Sequence, residues 1–598
     1  MFMLHSFYTL VILAGFLFCR CVSLYTIKRR QAEKHPLRQI QAETSPVRQA
    51  RKKDLPAQAY RLHSHTADRC QRCTDYPTAS AGGESVNTET LKRKNITCHS
   101  PQGMRKAGHT EKDKQTTTNE QSKNTNVTSD ILKKRILSGL PFEPSPEQEK
   151  AAGMLSRFVC GETASGIFIL KGYAGTGKTS MIASVVNALP SLGGRAVLAA
   201  PTGRAAKVMG RYSGQKAFTV HKMIYSLKKS EGGIFSFALK PNRYRDALFI
   251  VDEASMITDR SGESLSGNGA SLMDDLLQYV FSGKGCRLLL VGDTAQLPPV
   301  GYSDSPALEP STFETGYGMD CSSYMLTQVY RQAGDSAILA NATAIRKAVN
   351  EGFTQWGALK FTPGADFVRL CDGYDIQSAL EGAYSDSGQS ETIIITRSNK
   401  RAGMFNQQIR SRVMLSEGEI STGDILMVVK NNYFWVDESS PCGFIANGDL
   451  AEVMSVRRTE EVYGLHFARV ELCLTDYPQM PKFEAVVMLD TIYSDTAGLA
   501  EDKARVFFEE VMKDYEDLPV RRKYEELAKN EYFNAIQVKF GYAVTCHKAQ
   551  GGGWDNVFVE QVWMPEPKLS KDYLRWLYTA ITRARKKVYL IGFGDEFF

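Results

Sequence analysis

The chain has 598 residues, with 73 Lys and Arg against 66 Asp and Glu, a formal net charge of +7 and an apolar share of 43%. That length holds about three to four domains, and the composition excludes a wholly disordered chain, a collagen-like fibre and a polytopic membrane protein. Twelve cysteines are too few for a disulfide scaffold, and the excess positive charge is confined: residues 1–135 carry 24 basic and 11 acidic side chains, which leaves residues 136–598 at −6. The first 19 residues have no Asp, Glu, Lys or Arg. Their apolar run, Phe7 to Cys19, is short for a spanning helix and lacks the basic segment that opens a signal peptide. Arg20, Lys28, Arg29 and Arg30 follow it, so as a signal anchor it would leave the rest of the chain in the cytoplasm. A start codon assigned too far upstream is the fourth reading. Residues 30–130 are polar and show no sustained period, and are expected to be disordered. Cys70 and Cys73 form a C-x-x-C, with Cys98 and His99 beyond, but no second pair closes a zinc site. The sequons at Asn95 and Asn126 carry no meaning in a cytosolic chain.

From residue 136 the pattern changes. Strand-length apolar runs, Ile167–Leu170, Val197–Ala200, Leu248–Val251 and Leu288–Val291, alternate with helical stretches, and a second set follows at Ile393–Ile395, Val557–Val559 and Val588–Ile591. Continuous apolar strands separated by helices predict parallel sheets covered on both faces. The expected organisation is an α/β domain over 136–335 and another over 336–598. The second is interrupted at about 415–535 by a β-rich module (strand and turn signals over 420–492) and a charged amphipathic helix over 498–530.

Gly172-Tyr173-Ala174-Gly175-Thr176-Gly177-Lys178-Thr179 fits the phosphate-binding pattern G-x-x-x-x-G-K-[ST], after a strand and ahead of a helix that begins near Ser180. Glycines at 172, 175 and 177 let the backbone N–H groups, Thr176 among them, close around phosphate oxygens, with the helix dipole behind them. Lys178 would reach the outer phosphates and Thr179 would ligate Mg²⁺. Asp252-Glu253 ends the run Leu248–Val251. There the aspartate would hold Mg²⁺ through its water shell and the glutamate would polarise the attacking water. An N-cap pair is the plainer alternative.

Further strings stand in a fixed order along the chain: Pro144-Ser145-Pro146-Glu147-Gln148, Ala200-Pro201-Thr202-Gly203-Arg204-Ala205-Ala206-Lys207, Thr219-Val220-His221-Lys222-Met223-Ile224, Gly292-Asp293-Thr294-Ala295-Gln296-Leu297-Pro298-Pro299-Val300-Gly301, Tyr330-Arg331-Gln332, Phe540 to Gly551, and Tyr578-Thr579-Ala580-Ile581-Thr582-Arg583-Ala584. Together they resemble the motifs of superfamily 1 helicases, in particular the RecD-like members of the B group and their Pif-like and phage Dda-like relatives, over about residues 140–598. The resemblance implies an α/β fold of two RecA-like parallel-sheet P-loop domains, the second with an SH3-like insertion. It implies ATP and Mg²⁺ as cofactors, with Gln148 reading adenine, Gln296 sensing the γ-phosphate, Arg331 reaching the nucleotide across the cleft and Arg583 as the arginine finger. It assigns DNA contact to Pro201, Thr202, Gly203, Arg204, His221, Lys222, Pro298, Pro299, Thr545, His547 and Lys548. A surface salt bridge is the plainer reading of Arg583, and a helix start that of Gln148, where both roles can hold together. The motif that ends at Gly551 departs from the family in Cys546, Ala549 and the run Gly551-Gly552-Gly553. The basic interval 226–246 resembles the family's strand-separating pin, with a plain surface hairpin as the alternative. Tyr433, Phe434 and Trp435 could stack on bases or fill a core.

The resemblance thus implies an ATP-dependent helicase that translocates 5′-to-3′ on single-stranded DNA and opens duplex at single-strand junctions, in repair, recombination or replication. The alternative is a nucleic-acid-stimulated NTPase that remodels protein–DNA or RNA complexes without processive unwinding. A helicase–nuclease or repair partner, a cytoplasmic location and no stable membrane association complete the expectation, with tethering through residues 1–19 as its counterpart.

Overall fold

The computed structural model describes residues 128–229, 235–261, 269–329, 336–352, 355–437, 439–561 and 568–598. The apolar N-terminal run, Cys70 and Cys73, both sequons, Arg331 and the tip of the 226–246 interval lie outside them. The described residues belong to one compact unit, Lys106–Phe598, and none of their helices is long and apolar enough to cross a membrane.

Ordered chain begins ahead of residue 136. A helix over 128–138 places Leu132 and Ile136, one turn apart, at zero exposure against the core that also receives Leu140. Residues 128–135, expected to belong to the leader, are therefore helical. One turn-spaced apolar pair is too weak a period to mark a helix until the surface it packs on is known.

The first lobe contains β1 (Ile167–Gly172), β2 (Arg195–Ala200), β3 (Ala217–Thr219), a hairpin of β4 (Tyr225–Lys229) and β5 (Phe235–Leu239), β6 (Ala247–Val251), β7 (Arg287–Gly292) and β8 (Cys321–Leu326). Its six-stranded sheet runs β3-β2-β6-β7-β1-β8, every pairing parallel. In β1, Ile167 and Ile169 enter one core while Phe168 and Leu170 enter the other, because successive side chains of a strand point to opposite faces. Helices Pro146–Val159 and Lys178–Ala188 cover one face and Leu272–Ser282 the other. The strands can be apolar throughout because neither face meets water. The antiparallel hairpin β4–β5 stands apart from this sheet.

The second lobe begins with β9 (Phe367–Leu370) and β10 (Thr392–Thr396). The chain then leaves to build a closed barrel of β11 (Ile425–Val428), β12 (Leu450–Val462), β13 (Leu465–Leu474), β14 (Phe483–Met488) and β15 (Ile536–Phe540), and returns for β16 (Ala543–Thr545), β17 (Trp554–Glu560) and β18 (Ala584–Ile591). The lobe's sheet is parallel, in the order β16-β10-β17-β18-β9. The barrel's pairings are antiparallel except the last, where Val487 and Met488 meet Ile536 and Gln537 in parallel. The excursion that makes a parallel closure feasible carries helices Glu501–Lys513 and Val520–Leu527, which lay Phe507, Val511 and Leu527 on Phe467 and Val486 of the barrel. At the barrel's root Arg410 grips Asp424 with two bonds of 2.9 Å, and the same carboxylate accepts from Tyr542 (2.9 Å) and the Ser421 N–H (2.7 Å). Trp435 is held by its indole N–H on the Asn534 carbonyl (2.8 Å) and packs into the core, while Phe434 keeps 37% exposure.

Candidate functional site

In open parallel sheets ligands bind beyond the carboxyl ends of the strands, and the loops that follow β1, β6 and β7 meet there. Gly175 (φ 81°) and Gly177 (φ 87°) hold the loop after β1 in left-handed backbone. A Cβ at Gly177 would stand 2.6 Å from the Gln148 amide nitrogen and 3.3 Å from the Phe142 ring, so the turn admits only glycine. Ser145, Thr202, Ser271 and Ser570 cap their helices with side-chain oxygens. Helix Lys178–Ala188 starts from Gly177 with no side-chain cap. Its first N–H groups and dipole are thereby left for an anion. Lys178 Nζ donates to the Gly172 and Tyr173 carbonyls at 2.6 and 2.9 Å. Thr179 and Ser180 join it on the wall of a cleft of about 650 Å³. A larger cavity, of about 770 Å³, opens around Tyr384, Met414 and Cys473. It has no phosphate loop on its wall, so volume alone does not locate the chemistry.

Asp252 and Glu253 leave β6 into this cleft. Asp252 accepts from Tyr212 Oη (2.7 Å) and from the Glu253 N–H (2.8 Å). Glu253 sits at φ 51°, a backbone strained for a residue with a side chain, and its carboxylate lies 3.7 Å from the Arg583 guanidinium. Burial pushes the Glu253 carboxyl above its ordinary range, and Asp252 and Asp293 add to this against the pull of Arg583 and Lys178. Arg583 is itself 6% exposed and is held by the Thr579 carbonyl at 3.0 Å and the Gly552 carbonyl at 3.3 Å. Gln296 is 6% exposed and lines the cleft, and among the described residues its amide oxygen has no partner. One cleft thus gathers Gly175, Gly177, Lys178, Thr179, Ser180, Asp252, Glu253 and Gln296 from one lobe and Arg583 from the other.

Other expected residues sit elsewhere. Gln148 is not on the cleft wall: its amide completes the capping box with Ser145 and donates to the Thr176 carbonyl at 3.0 Å. It props the loop from behind, and the helix-start reading of it matches this geometry. Gly172 and Thr176 shape the same loop from outside the wall, Thr176 through a 2.8 Å bond to the Tyr173 carbonyl. Arg204 is not a free surface cation. It stacks 3.8 Å from the Trp554 ring centroid and donates to the Gly553 carbonyl at 3.0 Å, which ties the two lobes together. Two glycines of the run Gly551-Gly552-Gly553 have their reason here: a Cβ at Gly551 would meet Ala205 at 2.8 Å, and one at Gly552 would meet the Trp554 ring at 2.5 Å. Thr202 caps its helix, and Gly203 is packed against Asp449 of the barrel. Pro201 stays partly exposed. Pro298 and Pro299 are buried, and Val300, at 70%, is the exposed residue of that segment.

His221 is pushed down to about 4 by burial, so it is a neutral ring at physiological pH. Lys222 reaches the Pro441 carbonyl at 3.3 Å, and Lys207 meets Asp476 at 3.2 Å, so the barrel touches the first lobe along this edge. His547 is exposed, Thr545 and Lys548 are half-buried, and burial with the neighbouring Lys539 brings the Lys548 amine down to about 8. Four contributors to the cleft escape sequence reasoning: Pro141 and Phe142 on its wall, Asp293 beside Gln296, and Tyr212 on Asp252. Pro141, Phe142 and Tyr212 lie outside any motif string, and only folding brings them in.

Residues 147–369 match the AAA domain family, and residues 540–591 the UvrD-like helicase C-terminal domain family. The chain is similar to the ATP-dependent RecD2 DNA helicase of Deinococcus radiodurans, 28% identical over 437 residues that make up 71% of this chain and 47% of the relative. It is likewise similar to the ATP-dependent DNA helicase dda of Enterobacteria phage T4, 24% identical over 451 residues, 71% of this chain and 93% of that one. It spans about half the length of the first relative and nearly all of the second. Among solved structures, a Pif1 helicase from work on DNA unwinding at forked duplexes aligns with 76% of this chain and 94% of its own at 16% identity, with a TM-score of 0.40.

Proposed function

The chain is a RecD-, Pif- and Dda-like member of helicase superfamily 1, and from that premise we propose that it hydrolyses ATP to move along single-stranded DNA and to open duplex at single-strand junctions. The observation that carries this reading is the meeting of Glu253 and Arg583 at 3.7 Å over an uncapped phosphate-loop helix. A base and a cation from opposite lobes then act on one phosphoryl group only when the lobes are together.

The residues present fit a magnesium nucleotide. The uncapped N–H groups and the partnerless Gln296 oxygen suit phosphate and water. Thr179 and Asp252 are the protein's share of an ion that keeps most of its own water. Bound Mg²⁺ would neutralise charge between the outer phosphates. Lys178 leaves the Gly172 and Tyr173 carbonyls to reach a phosphate. Glu253, whose carboxyl burial has raised, takes the proton of the attacking water nearer neutral pH than an exposed glutamate would. Arg583 stabilises the charge of the transferring group. The β4–β5 hairpin is proposed as the strand-separating element, and Lys222, His547 and Lys548 as the single-strand track. The family resemblance implies 5′-to-3′ movement and a setting in repair, recombination or replication.

The test is ATPase rate with and without single-stranded DNA for the wild type and Lys178→Ala, beside strand displacement on a 5′-tailed fork. We expect DNA-stimulated turnover and displacement in the wild type and background rates in the variant. Stimulated turnover retained by Lys178→Ala overturns the assignment. Turnover without displacement replaces the helicase with a remodelling NTPase.

A further inference from the structure

Tyr578 belongs to helix Lys571–Ile581 of the second lobe and is 1% exposed. Its hydroxyl accepts the N–H of Ala174, inside the phosphate loop, at 2.8 Å, and donates to Asp293 Oδ2 at 2.8 Å. Both partners are on the first lobe. A phenol has one proton to give and lone pairs to receive, and here each is used across the lobe boundary. Burial and the Asp293 carboxylate hold the phenol well above its ordinary range, so it remains a donor throughout the working pH.

The partners explain what the bond governs. Asp293 caps the turn after β7, its Oδ1 taking the Ala295 N–H at 2.9 Å and its carbonyl the Gln296 N–H at 3.3 Å. Gln296 carries the partnerless amide oxygen in the cleft. The next residue of the same helix, Thr579, accepts the Leu297 N–H at 2.9 Å, and Gln550 donates to the Leu297 carbonyl at 2.7 Å. Arg346, on helix Ala337–Glu351, which packs into the core of the second lobe, lies 4.3 Å from the ring centroid of Tyr173, beside Ala174. Arg583 stands two residues past the end of helix Lys571–Ile581. A single hydroxyl therefore ties the phosphate loop, the turn that bears Gln296 and the helix that leads to Arg583.

We propose that Tyr578 is a positioning residue whose hydroxyl couples the relative position of the two lobes to the phosphate loop and to the turn that presents Gln296. The inference rests on the ATPase reading above. With the hydroxyl in place, the second lobe fixes one N–H of the loop and the orientation of the Asp293 turn together. When the lobes shift on the DNA, both are released together. Buried charge-assisted bonds of this kind are directional and costly to leave unmade, which suits a linkage with two discrete settings.

The experiment compares wild type, Tyr578→Phe, Asp293→Asn and the double variant in ATPase assays with saturating single-stranded DNA, with thermal transitions and oligonucleotide affinity measured alongside. Phenylalanine keeps the ring and removes only the oxygen. The expected result is a fall in kcat of about tenfold or more for Tyr578→Phe, with KM for ATP, oligonucleotide affinity and the thermal midpoint near the wild-type values. The double variant should be no worse than the poorer single one. A kcat within twofold of wild type overturns the inference, as does a loss shared by KM and the thermal midpoint, which marks simple lobe packing. If Tyr578→Phe does not fold, Asp293→Asn alone decides by the same kcat and KM criteria. If the wild type shows no DNA-stimulated turnover, the ATPase reading fails first, and the two failures are told apart.

Discussion

Replacing Arg583 by alanine should slow DNA-stimulated ATP turnover by about 10³-fold, at the low end of what an arginine finger contributes. The geometry supports that size. The guanidinium stands 3.7 Å from the Glu253 carboxylate on the wall of the cleft that carries Lys178, and it is held there by two backbone carbonyls. Opposite unit charges about 4 Å apart interact by roughly 4 kcal/mol at an effective dielectric near 20, which is what a guanidinium brought that close to the transferring phosphoryl group has to give. If that is realised only as charge develops in the transition state, it amounts to about three decades in rate. The substitution has a second signature. Burial raises the Glu253 carboxyl, and Arg583 heads the charges that pull it down. Without Arg583 the carboxyl rises further, more of the base is protonated at a given pH, and the acid limb of the kcat profile moves to higher pH. Arg583→Lys keeps the charge and loses the fork, so it should be slow with its acid limb near the wild-type position. Steady-state ATPase across about pH 5–9 with saturating single-stranded DNA reads both effects. A loss under about tenfold for Arg583→Ala, or an acid limb that stays in place, would refute the reasoning.

Two further outcomes follow from the same coordinates. Because the Lys548 amine is brought down to about 8, it is largely charged at pH 7 and largely neutral at pH 9. If it binds a phosphate, binding above pH 8 takes up a proton, so oligonucleotide affinity should fall from pH 7 to 9 by up to about tenfold per unit above 8. Lys548→Arg should flatten that dependence in an anisotropy titration, and a wild-type affinity level across the range would remove Lys548 from the track. Asp424→Ala should leave the buried Arg410 without a carboxylate partner, and the Tyr542 hydroxyl and the Ser421 N–H without the acceptor they share. The expected cost is about 3–5 kcal/mol, read as lost hydrogen-exchange protection in β11 and β15, and a change below about 1 kcal/mol would make the pair a bystander.

The parallel sheets were legible because their strands are buried on both faces: Leu248 to Val251 and Ile393 to Ile395 announce themselves in a run of letters. The β-rich insertion was legible as strands and turns. Its closure was not, because the Val487–Ile536 pairing joins residues separated by three helices. Among the cleft residues, Lys178 and Thr179 could be read from local spacing alone, since a phosphate loop is a local structure whose glycines are required by its own backbone. The places of Gln148 and Arg204, both off the cleft wall, could not. The letters do not say that the Gln148 amide will close a capping box with Ser145, nor that Arg204 will stack on Trp554, whatever else either side chain does.

The sequence by itself determined the chemistry available to this chain: a backbone that cradles phosphate, a carboxylate pair at a strand end, and an arginine in a helical string far along the chain. Tertiary structure decided which of these meet. Glu253 and Arg583 are 330 positions apart, and their 3.7 Å contact exists because two separately folded sheets present their loops to one cleft. The Tyr578 hydroxyl is likewise an ordinary phenol until folding brings the Ala174 N–H and the Asp293 carboxylate to within 2.8 Å of it. A hydrogen bond depends on distance and direction to a few tenths of an ångström, and spacing along a chain carries neither once the partners lie on different lobes.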